Sequence, residues 1–370
     1  MYLKSLSVIN FKNWEEAQFQ FSPKINCFVG NNGSGKTNVL DAIHYLSVCK
    51  SYFISSDSQN IKDQNPFFVV EGNFLKAETD YHIYCGLKKG QKKSFKRNKK
   101  EYEKLADHIG QFPSVIISPY DRDLIMEGSE IRRKFMDSVI SQSNSEYLQH
   151  LLKYNRTVQQ RNSLLKFFAA NHTFDRANLD IYNEMMAELA VTIYKARKEF
   201  IQDLKEKLQY YYGLISNNKE EINILYKSQL HESEDLKSLL DKNLDKDRLN
   251  QYTGVGTHKD DIEFSLSTRS LKKFGSQGQQ KSFLVALKLA QYDFISDKLG
   301  VQPILLLDDI FDKLDEERVE KLVKLVHDES FGQIFITDTH PERTGALVKK
   351  INKESQIFEV DNGLIINEKK

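Results

Sequence analysis

The sequence predicts an α/β domain that is interrupted by a mostly helical second domain and then resumed. Three observations predict it. An apolar strand, a glycine-rich loop and a helix follow one another over residues 25–46. Between residues 121 and 247 proline disappears and only Gly128 and Gly213 remain as glycines. After Tyr252 short apolar runs alternate with helical patterns again. The expected division is residues 1–120 and 251–370 as one discontinuous domain and 121–250 as the insertion, within a 370-residue chain long enough for two or three domains.

In chain order, residues 6–11, 67–72, 81–87 and 114–118 carry strand patterns, and Pro119 breaks the last. The insertion shows helical periodicity at 135–140, 147–165 and 179–211, with Leu189, Ile193, Ala196 and Phe200 on one stripe. Its length suits three or four helices and is too short for a long coiled-coil arm. The closing part offers a strand at 260–266, a helix at 280–299, a buried strand at 304–307, a helix at 316–327 and a buried strand at 333–337.

Gly30-Asn31-Asn32-Gly33-Ser34-Gly35-Lys36-Thr37 is a G-x-x-x-x-G-K-T phosphate-binding loop, set between the strand and helix it needs. Its glycines let backbone N–H groups close around phosphate oxygens. Lys36 is expected on the β- and γ-phosphates and Thr37 on Mg²⁺, with Asn38 next in the helix. Leu305-Leu306-Leu307-Asp308-Asp309 is an apolar strand ending in two carboxylates, the Walker B pattern. Asp308 is expected in the Mg²⁺ shell and Asp309 beside the attacking water, one methylene shorter than the Glu common there. Phe274-Gly275-Ser276-Gln277-Gly278-Gln279-Gln280-Lys281 opens a helix with Phe283, Leu287, Ala290 and Phe294 on one face. Ser276 at the N-cap and bare Gly278, followed by Gln279, make a second phosphate cradle. One nucleotide does not need two cradles, so the second is expected to serve the nucleotide of a second copy.

Net charge is +1, so no global field attracts nucleic acid. Lys88, Lys89, Lys92, Lys93, Lys96, Arg97, Lys99 and Lys100 nevertheless cluster around Gly90, as a hairpin with a basic tip. That is either a solvated turn or a phosphate-backbone contact. Cys27, Cys49 and Cys85 are odd in number, lack metal spacing and read as buried thiols in a reducing cytoplasm. No run of 18 apolar residues predicts a membrane span, and the alternating N-terminus does not read as a signal peptide.

Ser276-Gln277-Gly278-Gln279 resembles the signature motif of the ABC ATPase family, where Ser-Gly-Gly-Gln is usual, so the α/β domain is expected to be an ABC-type (P-loop NTPase) ATPase head. Phe311-Asp312-Lys313-Leu314-Asp315 looks like the D-loop, with Asp315 toward a partner subunit. His340, Thr337 or Thr339 stands near the switch position, and Ser118-Pro119-Tyr120-Asp121 near the Q-loop. The split by a helical insertion resembles the DNA-repair branch that includes the SMC proteins, and within it the RecF family, across essentially the whole chain. The matching runs are Asn10-Phe11-Lys12-Asn13, residues 30–43, Lys50-Ser51-Tyr52, Ser118-Pro119-Tyr120-Asp121, Arg132-Arg133-Lys134-Phe135-Met136-Asp137, Tyr154-Asn155-Arg156, Gln160-Arg161-Asn162, Gly256-Thr257-His258-Lys259-Asp260-Asp261, Ser276-Gln277-Gly278-Gln279-Gln280 and Leu307-Asp308-Asp309. Lys12 and Lys259 stand where the family usually has Arg, which keeps the charge but loses the bidentate fork. Thr257 stands where Pro is common, and Phe311-Asp312 replaces a small residue and Glu.

The resemblance implies a cytoplasmic, weak ATPase that binds ATP and Mg²⁺ and dimerises around two ATP molecules. It implies DNA binding at boundaries between duplex and single strand, acting with RecR and RecO to help RecA load onto gaps. Lys88, Lys89, Lys92, Lys93, Lys96 and Arg97 are the candidate DNA contacts, with Arg132 and Arg133 as weaker ones that are equally explained as structural. An SMC-like structural ATPase in another chromosome process, or an ABC regulator with protein or RNA partners, are the competing readings. The insertion lacks the sustained heptads an SMC arm would need.

Overall fold

The computed structural model describes residues 1–216, 220–232, 235–310, 321, 331–342 and 354–369. The chain divides into two compact units, one of residues 1–122, 210–219 and 277–370 and the other of 123–209 and 220–276.

The first unit begins with β1 (Tyr2–Phe11), β2 (Trp14–Gln20), β3 (Ile25–Val29) and α1 (Lys36–Val48). It continues with β4 (Phe67–Lys76), β5 (Thr79–Lys88), β6 (Ser94–Arg97), β7 (Lys100–Glu101) and β8 (Ser114–Ile117). In the second unit come α2 (Asp123–Met126), α3 (Ser129–Ser143), α4 (Ser145–Asn171), α5 (Arg176–Ser216, whose last turns cluster with the first unit) and β9 (Ile222–Lys227). There follow α6 (Leu236–Lys242), α7 (Leu244–Asn250), β10 (Asp261–Leu266), β11 (Arg269–Ser270) and α8 (Leu271–Phe274). The first unit resumes with α9 (Gln277–Leu299), β12 (Ile304–Leu307), β13 (Ile334–Asp338), β14 (Ser355–Asp361) and β15 (Leu364–Lys369).

Two six-stranded sheets form the first unit, β2-β1-β4-β5-β6-β7 and β15-β14-β3-β13-β12-β8. The first is antiparallel throughout. In the second, β14, β3, β13, β12 and β8 run parallel. Every residue of β3, β8, β12 and β13 is buried, so these strands read as mostly apolar runs rather than alternations, with Asn26, Ser114, Thr337 and Asp338 as the polar exceptions. Helix α1 packs against strands of both sheets and is buried from Val39 to Val48, which leaves it little amphipathic character. Phe19, Phe21, Phe28, Phe335 and Phe358 interlock edge-to-face and stacked in the same core. The carboxyl ends of β3, β12, β13 and β8 meet at one rim of the parallel sheet, where open α/β sheets place ligands.

The second unit is not wholly helical. Strand β9 pairs antiparallel with β10 in a three-stranded sheet. This pairing places residues 251–276 with the helices, whereas the sequence expectation put them in the α/β part. Buried ion pairs hold the unit together. Arg197 Nη1 lies 2.7 Å from Asp260 Oδ2 and its Nη2 2.8 Å from Asp137 Oδ1. Arg161, fully buried, donates to Asp247 Oδ2 at 2.7 Å and to Asn183 Oδ1 at 2.8 Å. Removing one partner of such a pair leaves an uncompensated buried charge, so Arg161→Ala should cost about 3–5 kcal/mol. A urea midpoint unchanged from wild type would refute this. No helix among the described residues is long and apolar enough to cross a membrane.

Candidate functional site

The glycine loop joins the end of β3 to the start of α1, and its geometry demands glycine at two positions. Gly30 has φ +154°, and a Cβ there would fall 2.1 Å from the Val360 carbonyl oxygen. Gly35 has φ +114°, and its Cβ would come within 2.7 Å of Asn13 Nδ2. No side chain caps α1, so its N-terminus, the positive end of the helix dipole, opens directly onto the glycine loop. The turn between β1 and β2 braces the loop from behind. Asn13 Nδ2 donates to Ser34 O at 3.2 Å, Trp14 Nε1 donates to Gly35 O at 3.1 Å, and Asn38 Nδ2 donates to Asn13 Oδ1 at 2.7 Å. Asn31, Asn32 and Gly33 face solvent, while Lys36 is buried and donates to Gly30 O at 2.8 Å and Asn31 O at 2.9 Å. Behind the helix, Lys12 pairs with Asp41 at 2.6 Å, both side chains nearly inaccessible, and Asp41 also accepts from Ser51 Oγ and Tyr52 N.

At the end of β12, Asp308 is 3% exposed. Its Oδ1 accepts from Thr37 Oγ1 at 2.7 Å and Thr337 Oγ1 at 3.0 Å, and its Oδ2 from Ser118 Oγ at 3.3 Å. Burial raises the Asp308 carboxyl above its ordinary range, opposed by those three hydroxyls and by the charge of Lys36. A divalent cation would offset that desolvation directly. The residues fit Mg²⁺, which takes one or two protein oxygens and draws the rest of its octahedron from water and phosphate. No cluster of three or more His, Cys, Asp or Glu that could hold a metal ion occurs among the described residues.

Asp309 follows with φ +46°, a left-handed conformation uncommon for a residue with a side chain. Its N–H donates to Thr337 Oγ1 at 2.9 Å, so Thr337 braces both carboxylate residues from β13. Asp308 and Asp309 line a cavity of about 370 Å³ with Ser118, Arg122, Gln280 and Val285. Of the three switch candidates, Thr337 reaches the Asp308 carboxylate, Thr339 Oγ1 lies 2.9 Å from His340 Nδ1, and His340 is exposed, 3.8 Å from Asp338. Ser118 places the Q-loop candidate segment against Asp308, and Asp121 accepts from Ser118 N at 2.8 Å and pairs with Lys288 of α9 at 3.1 Å.

Ser276 and Gln277 are exposed immediately before and at the start of α9, a 23-residue helix, and Gly278 and Gln279 are partly exposed. Asp315, with the rest of the D-loop candidate and the helix expected at 316–327, lies outside the described residues apart from Lys321.

The basic segment forms two successive hairpins, and Asn98 and Lys99 turn between β6 and β7 with φ +50° and +70°. Lys88, Lys89, Lys92 and Arg97 are exposed, and Lys96 lies half-buried over the Tyr84 ring. Lys93 is a correction to the expected DNA contacts. Its side chain is 9% exposed, and its Nζ donates to Asp57 Oδ2 at 2.8 Å, to Tyr45 OH at 3.0 Å and to the Cys49 carbonyl. Cys49 is the left-handed C-cap of α1, whose last carbonyls need a donor, and Lys93 supplies it. Arg132 and Arg133 are structural as well. Arg132 grips Asp261 bidentately at 2.7 and 3.0 Å, and Arg133 donates to Asp260 O at 2.7 Å.

Sequence reasoning missed the bracing roles of Asn13, Trp14 and Ser118. The single tryptophan of the chain, two residues after a lysine in the matched Asn10-Phe11-Lys12-Asn13 run, was the available signal.

The chain is similar to known proteins over nearly its whole length. The family model described as RecF/RecN/SMC N terminal domain matches residues 2–365. The DNA replication and repair protein RecF of Flavobacterium johnsoniae is 55% identical over 358 residues, covering 97% of this chain and 99% of that protein. Its counterpart in Phocaeicola vulgatus is 48% identical over 374 residues, covering 100% and 99%. A solved structure of the recombination mediator protein RecF with ATP, in the RecFOR pathway, superposes with a TM-score of 0.91 at 31% identity, covering 100% of this chain and 98% of that one.

Proposed function

Because this chain belongs to the RecF family of ABC-type ATPases, we propose that it is an ATP-gated DNA clamp of recombinational repair and replication-fork maintenance. The observation that carries the nucleotide half is the 2.7 Å hydrogen bond from Thr37 to Asp308, which joins the glycine loop to the Walker B strand. Lys36 swings from the loop carbonyls to the β- and γ-phosphates, and the first-turn N–H groups of α1 hold the remaining oxygens. Thr37 and Asp308 would hold Mg²⁺, which when bound would neutralise charge on the phosphates. Asp309, beside the cavity, orients the attacking water. Hydrolysis is slow and serves as a switch.

In the bound state, Ser276, Gly278 and Gln279 of one copy close on the ATP of the other, with Asp315 at the same interface. The ATP-bound dimer then grips duplex and single-stranded DNA at gap junctions, through Lys88, Lys89, Lys92, Lys96 and Arg97. With RecR and RecO it promotes RecA loading, in the cytoplasm.

Binding to blunt duplex, single strand and gapped duplex, each with ATP, ADP or no nucleotide and at several salt concentrations, tests the reading. The expected result is tightest binding to gapped duplex with ATP, falling steeply with salt. Equal affinity with ATP and ADP would sink the gate.

A further inference from the structure

The matched runs Tyr154-Asn155-Arg156 and Gln160-Arg161-Asn162 lie on α4, and the structure divides their work. Tyr154 OH meets His258 Nδ1 at 3.1 Å, Arg161 meets Asp247, and Asn162 Oδ1 accepts from Thr253 N at 2.7 Å, all within the second unit. Asn155, Arg156, Gln159 and Gln160 face solvent, and no side-chain hydrogen bond or ion pair engages them among the described residues. Arg156, Gln159, Gln160, Ser163 and Leu164 line an open hollow of about 480 Å³ that Tyr182 of α5 closes on one side. Lys153 and Lys166 are exposed on the same helix, and from Tyr147 to its end α4 contains no Asp or Glu.

We propose that this face of α4 is a second nucleic-acid surface, separate from the basic hairpin, that holds the phosphate backbone of DNA. An ordinary solvated helix face mixes both signs of charge, because i,i+4 pairs of opposite sign stabilise it. This one offers cations and amide donors with no carboxylate to repel phosphate. Side chains of Arg, Lys, Asn, Gln, Ser and Tyr are the donors that grip DNA backbones without reading bases. The hollow gives a phosphate a concave seat where Arg156 can donate two parallel bonds.

The proposal rests on the DNA-binding reading, and one experiment separates the two. Affinity for blunt duplex, single strand and gapped duplex is measured against salt, with ATP present, for wild type, for Lys153→Ala/Arg156→Ala, and for Lys88→Ala/Lys92→Ala. Each lost phosphate contact should flatten the log–log salt slope by about 0.9, so the α4 variant should fall by nearly two and weaken all three DNA forms alike. If wild type fails to bind any DNA, both readings fall. If wild type binds and the hairpin variant loses slope while the α4 variant keeps it, the α4 surface alone is overturned. A loss confined to one DNA form would also overturn it, because backbone contact carries no such preference. All four residues are exposed, and an unchanged melting temperature confirms that the fold is intact.

Discussion

Replacing Lys36 with alanine is expected to weaken ATP binding by roughly two to four orders of magnitude. Hydrogen bonds to charged groups contribute about 1.5–3 kcal/mol each. Two such bonds, to the β- and γ-phosphates, amount to about 3–6 kcal/mol, at about 1.4 kcal/mol per tenfold change. The loop itself should survive the change. Lys36 caps the carbonyls of Gly30 and Asn31, but Asn13, Trp14 and Gly363 hold Ser34 and Gly35 independently. Circular dichroism of the variant should therefore match wild type while calorimetric titration with ATP shows little heat. A dissociation constant within threefold of wild type would remove Lys36 from the nucleotide site. Everything downstream depends on this result, since a chain that cannot hold ATP has nothing for a second copy to close on.

Much of the nucleotide site was legible because its parts are local and sterically demanding. The expected bounds of β3 and β12 coincide with the observed Ile25–Val29 and Ile304–Leu307. A strand buried on both faces carries a mostly apolar run, broken in β3 only by Asn26, which turn residues then end abruptly. The glycine positions were legible for a similar reason, since the approach of Val360 to Gly30 leaves no room for a side chain.

The features that escaped are long-range or hidden in composition. Strand β9 sits in a segment that reads as helical, and its partner β10 lies across α6 and α7, so only the folded chain reveals the pairing that moves residues 251–276. Lys93 is chemically the same as its neighbours in the run. It turns inward because α1 ends in a left-handed residue, and that conformation at Cys49 has no glycine to announce it. Thr337 was one of three candidates for a single position. Its place on β13, one strand over from Asp308, lets one hydroxyl donate to a carboxylate and accept a backbone N–H at once. The run around Arg132 and Arg133 looked like a weak DNA candidate, and Asp260 and Asp261 account for it.

Ser276→Arg should leave ATP affinity within about threefold of wild type and yet abolish ATP-driven dimerisation. The substitution falls on an exposed residue immediately before α9, so the core of that helix, from Phe283 through Ile295, is untouched. A cation near a helix N-terminus costs about 0.3–1 kcal/mol, too little to unfold the domain. The bulk of the guanidinium, however, fills the space that a partner's γ-phosphate enters in the proposed dimer, and Gly278 beyond it can no longer offer its bare backbone at close range. Sedimentation with a non-hydrolysable ATP analogue should show wild type at twice the mass of the nucleotide-free protein and the variant at the monomer mass. Hydrolysis should fall with it, because in the proposed dimer the second cradle completes the site from the other chain. Loss of nucleotide binding in the variant would mean that the cradle serves its own ATP. Dimerisation that persists would place the interface elsewhere. Lys36→Ala and Ser276→Arg mixed together supply the decisive case. The Lys36 variant brings an intact cradle and the Ser276 variant brings an intact ATP site, so one composite site can form between them. Partial recovery of dimer and of hydrolysis in the mixture, absent from either variant alone, is the outcome that only a site shared between two chains can produce.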